Sequence, residues 1–167
     1  MDGFYNNLPV SPFPPLSPPF PFFLPYTHSI PLNSHGVFKQ EGAVNQDEYP
    51  HVGPTSFGQV TVAAKTYTHD LYIRADGKVK KRDKKLAKQL YGSSHTIGPA
   101  ELEQVCKGDP EVLFIGTGMS GLAELNEEAR RYLAQRSIRC QALPTPEAVE
   151  AYNQSDQRKA LLIHLTC

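Results

Sequence analysis

Two stretches of the chain are apolar over the length of a strand, the second with a single histidine near its end: Val112-Leu113-Phe114-Ile115 and Ala160-Leu161-Leu162-Ile163-His164-Leu165. Continuous rather than alternating apolar character predicts strands buried on both faces, as in a parallel sheet. A further strand is predicted over Ile138 to Leu143. Between these runs, Gly98-Pro99-Ala100-Glu101-Leu102-Glu103-Gln104-Val105-Cys106 places proline at a first helical position, with Gly108 just past the end. Leu122, Leu125, Ala129 and Leu133 recur three or four apart, with Asn126 as a cap and Glu127 and Glu128 in the first turn, where the helix dipole favours acids. Thr145-Pro146-Glu147 opens a last helix through Tyr152. Upstream the period changes to two. Gln59-Val60-Thr61-Val62 and Asp70-Leu71-Tyr72-Ile73 alternate, and Ala75-Asp76-Gly77 marks a tight turn before Lys78-Val79-Lys80. The order is an N-terminal antiparallel β-meander followed by αβαβαβ, which predicts an α/β domain with a mostly parallel or mixed sheet covered on both faces.

Composition divides the chain. Eleven of the fifteen prolines fall in the first 56 residues, which hold one Lys or Arg, Lys39, and four acids, Asp2, Glu41, Asp47 and Glu48. Residues 1–56 are therefore expected to be a proline-rich disordered tail, or an extension from a start assigned upstream of the true one, and residues 57–167 the folded domain. The apolar run from Ser11 to Pro25 does not read as a signal peptide, because no basic residue precedes it and prolines every two or three residues break any helix. For the same reason it cannot span a bilayer. Pro12, Pro15, Pro18 and Pro21 have the spacing an aromatic-lined groove takes, without the flanking basic residue that would set orientation. Three cysteines, Cys106, Cys140 and Cys167, are too few and too scattered for a disulfide framework, which points to a reducing, cytoplasmic setting.

The strand from Val112 runs into Gly116-Thr117-Gly118-Met119-Ser120-Gly121, a G-x-G-x-x-G. In a dinucleotide fold, an acid roughly 20 residues further on would grip the ribose. Here those positions are Cys140-Gln141-Ala142-Leu143, and only 24 residues follow Leu143, too few for a second nucleotide-binding half. Ser120 is not a nucleophile elbow, because Leu122 stands where that motif needs glycine. The loop remains a candidate for a small anion or phosphate held by backbone amides, with His95 beside it at the strand ends. Otherwise its glycines serve a sharp turn.

Other polar features are weaker. His164 and Cys167 fall on opposite faces of a strand and lack further ligands, so no metal site is read there. His69 and Asp70 are adjacent and point apart, so they cannot act as an acid–base couple. The run Lys78 to Lys88 carries seven basic residues and one acid in a chain of zero net charge. Its Lys80, Lys81, Arg82, Lys84 and Lys85 are the candidate contacts for an acidic protein partner. RNA is the alternative, disfavoured because no aromatic residue interleaves with the run. Lysines on an exposed strand and turn that merely block aggregation are the plainest account.

Four separated segments occur in an order that resembles one family. They are Ser94 to Pro99, Val112 to Ser120, Leu143 to Asn153, and His164 to Cys167. Residues 57–167 look like the MTH nine-three-eight domain family, a family of unknown function that includes relatives of the third assembly factor of mitochondrial respiratory complex I. The resemblance implies a Rossmann-like three-layer fold and offers no catalytic residues and no cofactor to carry over. Gly121 does not belong to the family pattern as we read it. The expected role is a non-enzymatic protein-binding or assembly module. The alternatives are a small-ligand enzyme at the Gly116 to Gly121 loop and an RNA-binding domain using residues 78–88.

Overall fold

The computed structural model describes residues 49–166. Of the tail expected over residues 1–56, residues 1–48 lie outside them. Ordered structure nevertheless begins ahead of Phe57: β1 (Val52–Ser56) pairs antiparallel with β2 (Gln59–Val62), which pairs with β3 (Lys65–Tyr67). Val52 is a buried core residue, so packed structure extends ahead of the boundary read at 56. The composition misled there because Pro50, Pro54 and Gly53 sit in and beside an edge strand, where a missing donor is tolerated.

The main sheet has the strand order β5-β4-β10-β7-β9. Its centre is the pair of apolar runs, β7 (Val112–Thr117) and β10 (Lys159–His164), parallel and in register from Val112 opposite Lys159 to Thr117 opposite His164. The strand β9 (Arg139–Leu143) adds in parallel on the far side of β7. On the other flank β4 (Leu71–Ile73) runs antiparallel to β10, and β5 (Val79–Lys81) antiparallel to β4. The N-terminal antiparallel meander is β1-β2-β3, and not every alternating segment belongs to it. Residues 59–62 belong to the small separate sheet, and 71–73 and 79–81 close the edge of the main one.

Alternation along the central strands builds two cores. Val112, Phe114, Leu161 and Ile163 face one side with Val52, Val60, Val62 and α4 (Thr145–Gln154), whose Ala148, Val149 and Tyr152 are buried. Leu113, Ile115, Ala160 and Leu162 face the other, against α2 (Pro99–Val105) and α3 (Glu127–Gln135). A two-stranded ladder of β6 (Thr96–Ile97) and β8 (Glu124–Leu125) lies with this second core. Each large aliphatic side chain removed from water contributes about 1.5–3 kcal/mol, so the two cores account for the sheet's being filled on both faces. The expected three layers and mixed sheet are what the chain forms.

Local signals held where they had a mechanism. Pro99 starts α2, and Asn126 Oδ1 accepts from Ala129 N at 2.8 Å at the start of α3. Leu122, counted with that helix, precedes it and is 59% exposed. The basic run is not a strand and turn alone. After β5, Asp83 caps α1 (Lys84–Tyr91), its Oδ1 accepting from Lys85 N at 3.0 Å and Leu86 N at 3.3 Å. Gly92 ends the helix in the left-handed conformation.

Candidate functional site

Where β4 begins and β5 and β10 end, four charged or polar side chains distant in sequence are buried together: Asp70, Arg82, Glu101 and His164. Arg82 follows β5 and turns inward, donating from Nε to Glu101 Oε1 at 2.5 Å and from Nη2 to Oε2 at 3.1 Å. Such a two-point guanidinium–carboxylate pair fixes both planes. Its Nη1 lies 3.3 Å from Asp70 Oδ2. Asp70 Oδ2 is also 2.5 Å from His164 Nδ1, and Asp70 Oδ1 accepts from Leu165 N at 3.1 Å. A nitrogen that close to a carboxylate carries the hydrogen. The 3.2 Å approach of Arg82 Nη1 to the same nitrogen is then proximity of two donors around one acceptor, and not a bond.

Burial by itself pushes the Asp70 carboxyl up. The bond from His164, the Leu165 amide, and the charges of His164 and Lys84 outweigh it and hold the group well below the usual carboxylate range. Lys84 completes the cluster from the rim, with Nζ 3.3 Å from Asp70 Oδ2 and 3.4 Å from Thr166 Oγ1. The far nitrogen of His164, Nε2, is buried without a hydrogen-bond partner among the described residues. The His95 ring stands edge-on to it, centroids 5.2 Å apart.

His69 and Asp70 are indeed not a couple, but Asp70 is half of one, with His164 across the sheet. His164 is a participant in a charge cluster, a role that the sequence reading did not assign to it. A polar residue inside the apolar run Ala160 to Leu165 was the signal in the sequence, since a buried polar side chain needs a partner. Cys167 lies outside the described residues. Among those residues, no group of three or more His, Cys, Asp or Glu is placed to hold a metal ion.

The glycine loop has a different construction from a nucleotide cradle. After Gly121 the chain enters β8, and α3 begins only at Glu127, so the loop does not lead directly into a helix as a nucleotide cradle does, and the helix start that adjoins it is that of α4. Gly116 is close to α4: a Cβ there would lie 2.8 Å from Thr145 Oγ1 and 3.1 Å from Thr145 Cα. Gly118 has φ 100°, a backbone that side chains disfavour. Its N–H donates to Thr145 Oγ1 at 3.0 Å, Thr145 N–H donates to Gly118 O at 3.0 Å, and the threonine hydroxyl donates to His164 O at 2.7 Å. Thr117 Oγ1 donates to Leu143 O at 2.8 Å. These groups tie the ends of β7, β9 and β10 to the start of α4. Met119 and Leu122 are exposed.

Of the basic candidates, Lys80, Lys81 and Lys85 are exposed and Lys84 is partly so. Arg82 is not available to a partner, being 2% exposed and held by Glu101. A strand's alternation does not predict this, because Arg82 leaves β5 and its burial depends on the carboxylates of α2 and β4.

The architecture and the region it covers have known counterparts. A conserved hypothetical protein, PH1505, from Pyrococcus horikoshii OT3 superposes with a TM-score of 0.63 at 30% identity, over 70% of this chain and 98% of that one. The protein MT938 superposes with a TM-score of 0.60 at 31% identity, over 71% and 99%. An outer membrane protein from Bartonella henselae shares the fold at 20% identity and a TM-score of 0.57, over 71% and 97%. This is the α/β class of the MTH nine-three-eight domain, as the sequence resemblance implied. The sequence profile of the proteins of unknown function DUF498/DUF598 matches residues 52–163, and the chain belongs to that family. Among the described residues no helix is long and apolar enough to cross a membrane.

Proposed function

We propose that this domain is a non-enzymatic protein-binding module whose contact surface is the basic face of β5 and α1, and that its partner is acidic. One observation carries the reading. With Arg82 turned inward, Lys80, Lys81, Lys85 and Lys88 remain exposed, and among the described residues no carboxylate lies within ion-pair distance of them. A surface of one sign with no internal partner steers association and selects its complement. Beside it lies a small cleft of about 60 Å³ lined by Tyr72, Lys81, Asp83, Leu86, Glu101 and Gln104, with room for one small side chain of a partner. Free Cys106, buried, and Cys140, exposed, are in keeping with a reducing compartment.

The test is capture from cell extract with the full chain and with the Lys80→Glu, Lys81→Glu, Lys85→Glu variant. A protein retained through nuclease treatment, released by salt, and lost with the variant supports the reading. Unchanged capture by the variant overturns it. Loss on nuclease treatment transfers the surface to RNA.

A second reading, a small-ligand enzyme at the strand ends, has one observation in its favour. His164 is oriented by Asp70 and keeps Nε2 unengaged next to His95, at the C-terminal end of β10 where open α/β sheets bind ligands. The charged groups around it are paired with one another, which favours the module.

A further inference from the structure

At the edge of the main sheet, β9 has a neighbour on one side only among the described residues, β7. Arg139 N–H donates to Glu111 O at 3.0 Å, so that residue's polar backbone faces inward. By the alternation of a strand, the N–H and C=O groups of Cys140 and Ala142 point away from β7. Arg139, Cys140, Gln141 and Ala142 are all exposed. Natural edges are blunted by charged side chains, lysine above all, by internal proline or by a bulge. Of these β9 has only Arg139, at its first position, and its register with β7 is unbroken. The opposite edge, β5, carries Lys80 and Lys81. Next to β9 runs a groove of about 430 Å³ lined by Leu125, Arg130, Leu133, Ile138, Cys140 and Ala142.

We propose that this edge is the contact between two copies of the chain, β9 pairing antiparallel with β9 of a second copy about a two-fold axis through Gln141. The inference is independent of the lysine surface. Its first support is register. With Gln141 on the axis, Cys140 of each copy stands opposite Ala142 of the other, and these are the residues whose backbone groups are turned outward. Each such group gains a hydrogen bond, and Gln141 meets its own copy in a non-hydrogen-bonded pair, Cα atoms about 4.5 Å apart. The second support is size. Cys140 and Ala142 are small on the face that lines the groove, so the two grooves meet as one apolar space.

Charge supplies the third support. The helix α3 starts with Glu127 and Glu128 and continues with Arg130 and Arg131, all exposed. As the crossover between the parallel strands β7 and β9, it runs antiparallel to them. A two-fold through Gln141 therefore sets two α3 helices antiparallel on one face, the acidic start of each toward the basic turns of the other. A self-complementary edge, groove and charge gradient on one surface are the requirements of an isologous contact.

Native mass spectrometry and light scattering on the full chain at micromolar concentration test this, with circular dichroism to confirm folding of each variant. The unchanged chain is expected to be a dimer. Gln141→Lys and Gln141→Glu each set like charges directly opposite across the axis, and each weakens self-association by about fivefold or more. Mixing the two variants restores dimers that are predominantly mixed. In a Cys140→Ser background, Gln141→Cys forms an intermolecular disulfide under mild oxidation, because non-hydrogen-bonded partners lie within bridging range. A monomeric chain, or a dimer indifferent to both charged variants and showing no preference on mixing, overturns the proposal.

Discussion

Asp70 Oδ2 lies 2.5 Å from His164 Nδ1, joining the residue before β4 to the last residue of β10 across 94 positions of sequence. The contact sits in a cluster that also holds Arg82 and Glu101. Its members neutralise one another, and that dictates how the cluster responds to substitution.

Removing one charge from a buried, mutually paired set leaves the others unpaired, which costs about 3–5 kcal/mol. Arg82→Leu should therefore lower the melting temperature by 10 °C or more, at about 4 °C per kcal/mol for a domain of this size. Lys80→Ala and Lys85→Ala remove exposed charges from the same stretch and should change stability by about 0.5 kcal/mol at most. Thermal melts of the three variants compare them directly. Equal melting for Arg82→Leu and Lys80→Ala would show that the inward ion pairs are not formed.

The same cluster sets a dependence on acid. Asp70 is held below its ordinary value of 3.8 in the fold. Its contribution is therefore complete above about pH 4 and is lost as pH falls through the folded value. In that window the unfolded chain binds a proton that the native chain does not, so stability declines with falling pH. Asp70→Asn should be less stable at neutral pH and should have a shallower acid limb. Urea unfolding at several pH values between about 2 and 6 measures both limbs. Parallel acid limbs for the two proteins would mean that Asp70 titrates normally.

The strands β7 and β10 were legible because nothing but burial on both faces explains an unbroken apolar run. The helix α1 was not. Its fully buried side chain is Ala87 alone, and Lys84, Lys85 and Lys88 made it look like an exposed strand and turn. The charge cluster was illegible for another reason. Asp70, Arg82, Glu101 and His164 belong to four segments whose adjacency is created by the sheet order β5-β4-β10 and the packing of α2. A local pattern carries no trace of that. The glycine loop was half legible: its lack of a ribose-binding acid was visible, whereas the approach of Thr145 to Gly116 was not.

Truncation separates composition from packing at the start of the domain. Tyr49 donates its hydroxyl to Ala75 O at 3.1 Å and stacks edge-on with Tyr152, while Val52 exchanges backbone bonds with the Asn153 side chain at 3.1 and 2.7 Å. A chain beginning at Phe57 loses these contacts, all of β1, and the burial of Val52, itself worth about 1.5–3 kcal/mol. It should melt at least about 8 °C below a chain beginning at Tyr49. Coincident melting curves would mean that β1 contributes nothing to the fold.

The last expectation concerns the G-x-G-x-x-G spelling, which two experiments can divide between binding and sterics. In a dinucleotide fold the glycine loop leads directly into the helix whose N-terminus holds the pyrophosphate, and here β8 intervenes before α3. Calorimetric titration with NAD or NADP should therefore show no binding tighter than about 100 μM, equivalent to roughly 5–6 kcal/mol. The glycines should matter for stability instead. In Gly116→Ala the new methyl meets Thr145 at its Oγ1 and its Cα, and Thr145 cannot retreat without releasing its bonds to Gly118 and His164. The cost of such overpacking is about 1–3 kcal/mol, read as a fall in melting temperature. A Gly116→Ala protein of unchanged stability that loses a nucleotide bound by the original chain would reverse the assignment and make the loop a binding site. Destabilisation without any nucleotide binding leaves the loop as the clasp that holds α4 to the ends of β7 and β10.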